Sequence, residues 1–299
     1  MNLDEQLDYL RAQLEHCELC PRKCGVDRLA GRVGFCGAGA KPRVASLCLH
    51  RGEEPPISGD RGSGTIFFSG CTMKCVYCQN YPISQMGYGN DVEVSDLVDM
   101  MLKLQRQGAH NINLVTATHF LPQTAEALIA ARVSGLTIPV VSNTSGYERV
   151  ETIRALEGLV QVYMVDMRYS RAETAARYSQ TPDYPEHNRA AIYEMFGQVG
   201  PLECRNGLAV RGVMIRHLIL PGLMDETREI LQFIASELPA SVPVSLMTQY
   251  FPANKALEHP EISRKITSEE YQEAIAMLDA LGLDTGWVQD PETGPRPVT

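Results

Sequence analysis

From residue 63 onward, short β-branched runs alternate with helical stripes, and this alternation restricts the chain to a parallel α/β fold. Six runs read as strands: GTIFFSG (64–70), NINLVTATH (111–119), IPVVSNTSG (138–146), VYMVDMRYS (162–170), RGVMIRHLILPG (211–222) and VPVSLMTQYFP (242–252). Between the first two, Val94, Leu97, Val98, Met101 and Leu104 recur at helical spacing, with Ser95 as the expected cap. Further helices fit 122–134, 148–158, 185–198 and 225–238. Thr267 and Glu270 have capping-box spacing ahead of an apolar stripe through Tyr271, Ala274, Ile275, Leu278 and Leu281. Six parallel strands joined by right-handed crossovers make either an open sheet or a partly closed barrel. The expected organisation is a helix and cysteine-rich metal-binding segment over 1–60, a barrel core over 61–255, and a helix with an irregular, proline-rich tail over 256–299.

The chain has 27 basic and 36 acidic residues among 299, a formal charge of −9, which argues against a surface built to neutralise nucleic-acid phosphates. Residues 1–16 contain no apolar stretch behind a basic start, so neither an export signal nor a membrane span is expected. Seven of the nine cysteines fall into two metal-spaced clusters, which fits a reducing, cytoplasmic setting better than a disulfide framework.

Cys71, Cys75 and Cys78 form a C-x3-C-x2-C pattern directly after the first strand. Three thiolates are one fewer than normally close an iron–sulfur cluster, so the pattern implies a centre with an open position for a small molecule. Loops leaving the carboxyl ends of barrel strands are where reactive groups gather. The second set, Cys17, Cys20, Cys24 and Cys36, has the spacing C-x2-C-x3-C-x11-C on a glycine-punctuated loop. Four thiolates close either a tetrahedral zinc or a complete iron–sulfur cluster, and the spacing leaves both open. Cys48 and Cys204 read as incidental or buried thiols.

The run SGCTMKCVYCQN (69–80), with the aromatic Tyr77 before the third cysteine, resembles the cluster motif of the radical S-adenosylmethionine (SAM) superfamily. That resemblance implies a [4Fe–4S] cluster whose fourth iron is chelated by SAM. It also implies reductive cleavage to a 5′-deoxyadenosyl radical that abstracts hydrogen from a substrate, and a partial (β/α)6 TIM-like barrel. An external one-electron reductant such as flavodoxin or ferredoxin would supply the electron. The order of CELCPRKCGVDRLAGRVGFCG, NINLVTATH, SNTSGY and IRHLILPG resembles the group containing pyruvate formate-lyase activating enzyme, in a branch with an amino-terminal cysteine knuckle. The chain departs from the glycyl-radical activases in carrying its extra cysteines before the barrel, and in having Phe251 where they tend to carry histidine. Candidate substrates are a protein glycyl loop, a peptide or a small molecule.

Polar residues at the strand ends mark the expected cofactor site. Thr116, Thr118 and His119 follow the second strand as Thr-Ala-Thr-His, where many radical SAM proteins carry Gly-Gly-Glu to meet the methionyl amino group. Asn143 and Ser145, flanked by Ser142 and Thr144, offer groups suited to a ribose or carboxylate, and equally suit a turn. Arg168 has the fork geometry to hold the methionyl carboxylate while Asp166 orients it; an internal salt bridge is the alternative. Arg216 and His217 must point to opposite faces, and Arg216, which resembles the arginine before the Pro-Gly run of activating enzymes, is favoured for the interior. Gln249 and Tyr250 are candidates for substrate contact or for the rim, and the polar segment with His50, Glu53 and Glu54 for a cover over the cluster or, as the default, a solvated loop. A non-catalytic iron–sulfur electron carrier or scaffold, and a zinc-stabilised binding module, are the readings from other functional classes.

Overall fold

The structure is a computed structural model that describes residues 1–290 and 294–298. Eleven strands lie in chain order: β1 (Arg43–His50), β2 (Ser63–Phe68), β3 (Asn90–Asp91), β4 (Ile112–Val115), β5 (Val140–Thr144), β6 (Val162–Asp166), β7 (Glu203–Arg205), β8 (Leu208–Leu218), β9 (Val244–Met247), β10 (Gly286–Asp290) and β11 (Gly294–Pro297). All six expected strands are present, as β2, β4, β5, β6, β8 and β9. With β10 they form a parallel series in which each strand pairs with the next. Strand order that follows chain order throughout is the winding of a barrel, whereas a doubly wound sheet reverses midway. The strand path runs from β11 to β3 without joining, so the barrel is partial and the sheet is not closed.

Several expectations need correction. β1 pairs antiparallel with β2, so the sheet reaches into the stretch 1–60 that was expected to lie outside it. The helix Val94–Arg106 is capped two residues earlier than Ser95, by Glu93, whose amide donates to Asp96 Oδ2 at 2.8 Å. A helix at Ala172–Ser179 was not anticipated, because its eight residues are shorter than the window over which a helical period can be read. The tail is not irregular throughout: β10 adds in parallel to β9, and β11 pairs antiparallel with β10. An outermost strand tolerates proline, which explains why proline content misled there. Residues 291–293 and 299 of that tail lie outside the described residues.

Two apolar layers sandwich the sheet. Between the strands and the helices lies the main core, including Ile66, Leu97, Leu114, Leu128, Ile192, Ile230 and Leu246. Inside the barrel, Val141, Val162, Met164 and Met214 pack with Ile57. Side chains two apart on a strand share a face, so these interior residues continue upward as Asn143 on β5, Asp166 on β6 and Arg216 on β8. Apolar residues thus fill the lower barrel, and polar ones line its carboxyl end. Ile57 arrives on a short helix, Pro55–Ser58, within the β1–β2 connection, which therefore folds into the lumen.

Two further contacts hold the strand ends in place. Glu148 is buried and accepts hydrogen bonds from Thr118 Oγ1, just beyond β4, at 2.5 Å and from Thr144 Oγ1, at the end of β5. Burial pushes this carboxyl above its ordinary range, with the two hydroxyls opposing that shift. Gly212 in β8 has φ +117°, and a Cβ there would lie 2.2 Å from Pro201 O and 2.4 Å from Leu202 Cα.

Gly212→Ala is expected to cost about 3 kcal/mol in urea unfolding; an unchanged midpoint would contradict the close approach. For Glu148, a raised folded-state pKa means that its contribution is fully present below the unfolded value, about 4.3, and declines as pH rises through the folded one. Glu148→Gln should therefore flatten the loss of stability with rising pH, measured by thermal melts; a variant that loses stability in parallel with the parent would refute the upward shift of this carboxyl.

Candidate functional site

A cavity of about 290 Å³ opens at the carboxyl ends of the strands, with Cys71, Cys75 and Cys78 together on its wall. Each sulfur has a donor within reach. Cys75 Sγ accepts from Ser179 Oγ at 2.9 Å and from Arg168 Nη1 at 3.3 Å; Cys71 Sγ accepts from the Met73 amide at 3.4 Å; Cys78 Sγ lies 3.2 Å from Ser84 Oγ. Because Ser179 gives its one proton to Cys75, Tyr169 must donate to Ser179 and Tyr77 to Tyr169, each at 2.7 Å. A relay of hydroxyls therefore ends on one sulfur.

Burial pushes the Cys71 thiol up, and the Cys78 thiol up to about 11. Such groups stay protonated unless a metal takes the proton's place. Three sulfurs on one wall, each met by a donor, fit thiolate ligands of a metal centre. Among the described residues no three His, Cys, Asp or Glu side chains are gathered tightly enough for a single bare ion.

Opposite the cysteines runs a chain of buried charge. Asp166 Oδ1 accepts from Arg216 Nε at 2.9 Å, and Asp166 Oδ2 accepts from Arg168 Nη2 at 2.5 Å. Burial alone would raise the Asp166 carboxyl, but Arg216 and Arg168 outweigh it and hold the group below the usual carboxylate range. Arg216 continues to Asn143 Oδ1 at 2.7 Å and to Glu53 Oε2 at 3.3 Å, while Glu53 Oε1 accepts from Asn113 at 3.0 Å and from Asn143 at 3.3 Å. Register explains the first pairing, since Asp166 and Arg216 are lateral partners across β6 and β8. Glu53 rises in pKa because burial exceeds the pull of Arg216.

The cavity gathers Thr116, Asn143, Ser145, Asp166, Arg168 and Arg216 with the three cysteines. Two expected contacts are not among its lining residues. Tyr77 packs behind the cysteine loop against Tyr169, Tyr178 and Tyr250, and Thr118 turns away to Glu148. Thr116 has φ +56°, a strained conformation for a β-branched residue. Arg216 takes the interior, and His217 bonds Met167 O at 2.8 Å and Thr227 Oγ1 at 3.0 Å on the other face. Gln249 lines the cavity, whereas Tyr250 is buried in the tyrosine cluster. Glu53, expected in a cover over the cluster or, by default, in a solvated loop, is inserted into the lumen. Ser179 and Ser84 were missed, and no local pattern marks them.

The four amino-terminal cysteines line a second, smaller cavity together with Thr72 and His119. Arg22 Nε donates to Thr72 O at 2.5 Å, and buried Arg28 donates to His119 O at 2.6 Å and to Gly39 O, which stitches this segment to the barrel rim. His119 Nε2 donates to Ser69 O at 2.7 Å. Burial drives the His119 imidazole down to about 4, so it is neutral at physiological pH. Cys48 and Cys204 are exposed.

Residues 65–234 match the Radical SAM superfamily. An uncharacterized protein of Methanocaldococcus jannaschii is 31% identical over 291 residues, covering 94% of this chain and 80% of that relative. The crystal structure of Streptococcus suis SuiB bound to S-adenosylmethionine superimposes with a TM-score of 0.47 at 10% identity; the match covers 73% of this chain and 44% of that one. The chain is a member of the radical SAM superfamily.

Proposed function

We propose that the chain is an enzyme that cleaves SAM reductively at a [4Fe–4S] cluster ligated by Cys71, Cys75 and Cys78. The observation that carries this reading is the shared wall: Cys71, Cys75 and Cys78, and no fourth cysteine among the described residues, line the cavity at the barrel mouth. When bound, the cluster and SAM supply one electron transfer to a sulfonium and a 5′-deoxyadenosyl radical for hydrogen abstraction. The chain's own residues bind and orient. Asp166 fixes the planes of Arg168 and Arg216, so the two guanidiniums stand ready for an anionic group without costly rearrangement. Asn143, Ser145 and Thr116 offer amide and hydroxyl contacts on the same wall. The tyrosine cluster behind Cys75 keeps water from that side of the centre.

The substrate, whether a glycyl loop, a peptide or a small molecule, approaches from the rim near Asn80 and Gln249. A low-potential one-electron carrier of the flavodoxin or ferredoxin type supplies the reductant. The four amino-terminal cysteines hold a second metal centre. Four thiolates suit either a zinc or a second iron–sulfur cluster.

After anaerobic reconstitution, dithionite and SAM should yield 5′-deoxyadenosine and methionine. Replacing Cys71, Cys75 or Cys78 by alanine should abolish the product; release that persists in these variants would end the proposal. Ser179→Ala removes one donor to a ligating sulfur, an interaction worth about 1 kcal/mol. The variant should keep its iron while the midpoint potential of this cluster falls by about 40 mV; an unshifted potential would mean that the hydroxyl chain ending on Cys75 does not reach the cluster.

A further inference from the structure

We infer that His119 is a nitrogen ligand of the amino-terminal metal centre. The inference rests on the reading that the amino-terminal cysteines bind a metal, and it puts in place of one of the four a ligand from the barrel, 83 positions beyond Cys36 in the chain.

His119 lines the cysteine cavity and is 1% exposed, yet its Nδ1 is buried and has no hydrogen-bond partner among the described residues. The other ring nitrogen is fully assigned. A carbonyl oxygen can only accept, so Nε2 carries the proton that it donates to Ser69 O, and Nδ1 of the neutral ring is left with a lone pair. This is how ligating histidines are usually held, with the second N–H fixed by a backbone carbonyl to set tautomer and ring plane. Orientation agrees. A Cβ at Gly70 would lie 3.1 Å from Nε2 and 3.5 Å from Cδ2, so that edge of the ring faces Gly70 and Nδ1 lies on the opposite edge. An unpaired buried acceptor costs on the order of 1–3 kcal/mol, and coordination would recover it.

Coordination number identifies the thiol left over. Four sulfurs and one nitrogen exceed the four positions of a tetrahedral ion or of a four-iron cluster's outer ligands. Cys24 is exposed, whereas Cys20 is buried and Cys17 and Cys36 are half-buried. Cys24 is therefore the cysteine outside the centre. A ligand at His119 also connects the two sites, because its Nε2 grips Ser69, two residues before Cys71.

The test uses the full chain carrying Cys71→Ala, Cys75→Ala and Cys78→Ala, so that only the amino-terminal centre can load. It is reconstituted anaerobically with iron and sulfide, reduced, and examined by pulsed electron paramagnetic resonance with 14N- and 15N-histidine. A directly coordinated imidazole nitrogen should appear, change on isotope exchange, vanish in a further His119→Ala variant and survive His16→Ala, which controls for the exposed neighbour. Cys24→Ala should retain the iron. Iron bound without nitrogen coupling overturns the inference while leaving the second centre intact; this readout needs no substitution at His119, so it stands even if His119→Ala misfolds. Failure to bind any metal overturns both. If zinc is bound instead, the cluster reading fails, and zinc-edge X-ray absorption decides on the ligand: a nitrogen near 2.0 Å beside sulfurs near 2.3 Å supports it, and sulfur alone refutes it.

Discussion

The Asp166 carboxylate, shared between Arg168 and Arg216, is the interaction on which the site depends. Burying four ionisable groups at a barrel mouth is costly unless they pair, and here Glu53, Asp166, Arg168 and Arg216 form two acids against two bases. Pairing leaves Arg168 with a second direction, toward Cys75 Sγ, so the charge chain meets the cysteine loop. The loop's shape is thereby tied to three strands. β6 contributes Asp166, β8 contributes Arg216, and β5 contributes Asn143. Rigid elements thus hold the Cys75 sulfur from one side, while the hydroxyl chain through Tyr77, Tyr169 and Ser179 holds it from the other.

The amino-terminal segment is part of this arrangement rather than an appendage. Arg22 bonds the backbone of Thr72, inside the cysteine loop, and Ser179, which also serves Cys75, gives its carbonyl to the same arginine at 3.1 Å. Gly70 is the point of closest approach: a Cβ there would lie 2.7 Å from Cys36 O. Substituting it would push the two cysteine loops apart, so glycine at this position answers to packing between them.

Legibility in the sequence followed the range of the signal. Strand identity is local, and the β-branched runs found β2, β4, β5, β6, β8 and β9; period-two alternation set Arg216 and His217 on opposite faces, and the resemblance to activating enzymes chose Arg216 for the interior. Cysteine spacing is also local, and it placed Cys71, Cys75 and Cys78 on one wall. Glu53 was only half legible, as a cover for the cluster or a solvated loop, because its role depends on where the β1–β2 connection goes, and a polar loop that plugs a barrel reads like one in solvent. Tyr77 and Thr118 sit one residue from cavity-lining positions or one turn beyond a strand; proximity in sequence suggested contact, but side-chain direction carried them elsewhere. β10 was lost because five residues after a helix give too short a pattern to call a strand.

The central claim is that the polypeptide ligates three of the four irons and leaves one for SAM. Electron–nuclear double resonance on the anaerobically reduced protein, with SAM labelled by 15N at the methionyl amino group, reads that iron directly. Coupling between the label and the cluster is the predicted result. A fully iron-loaded protein whose cluster spectrum shows no 15N coupling and does not change when SAM is added would contradict the account.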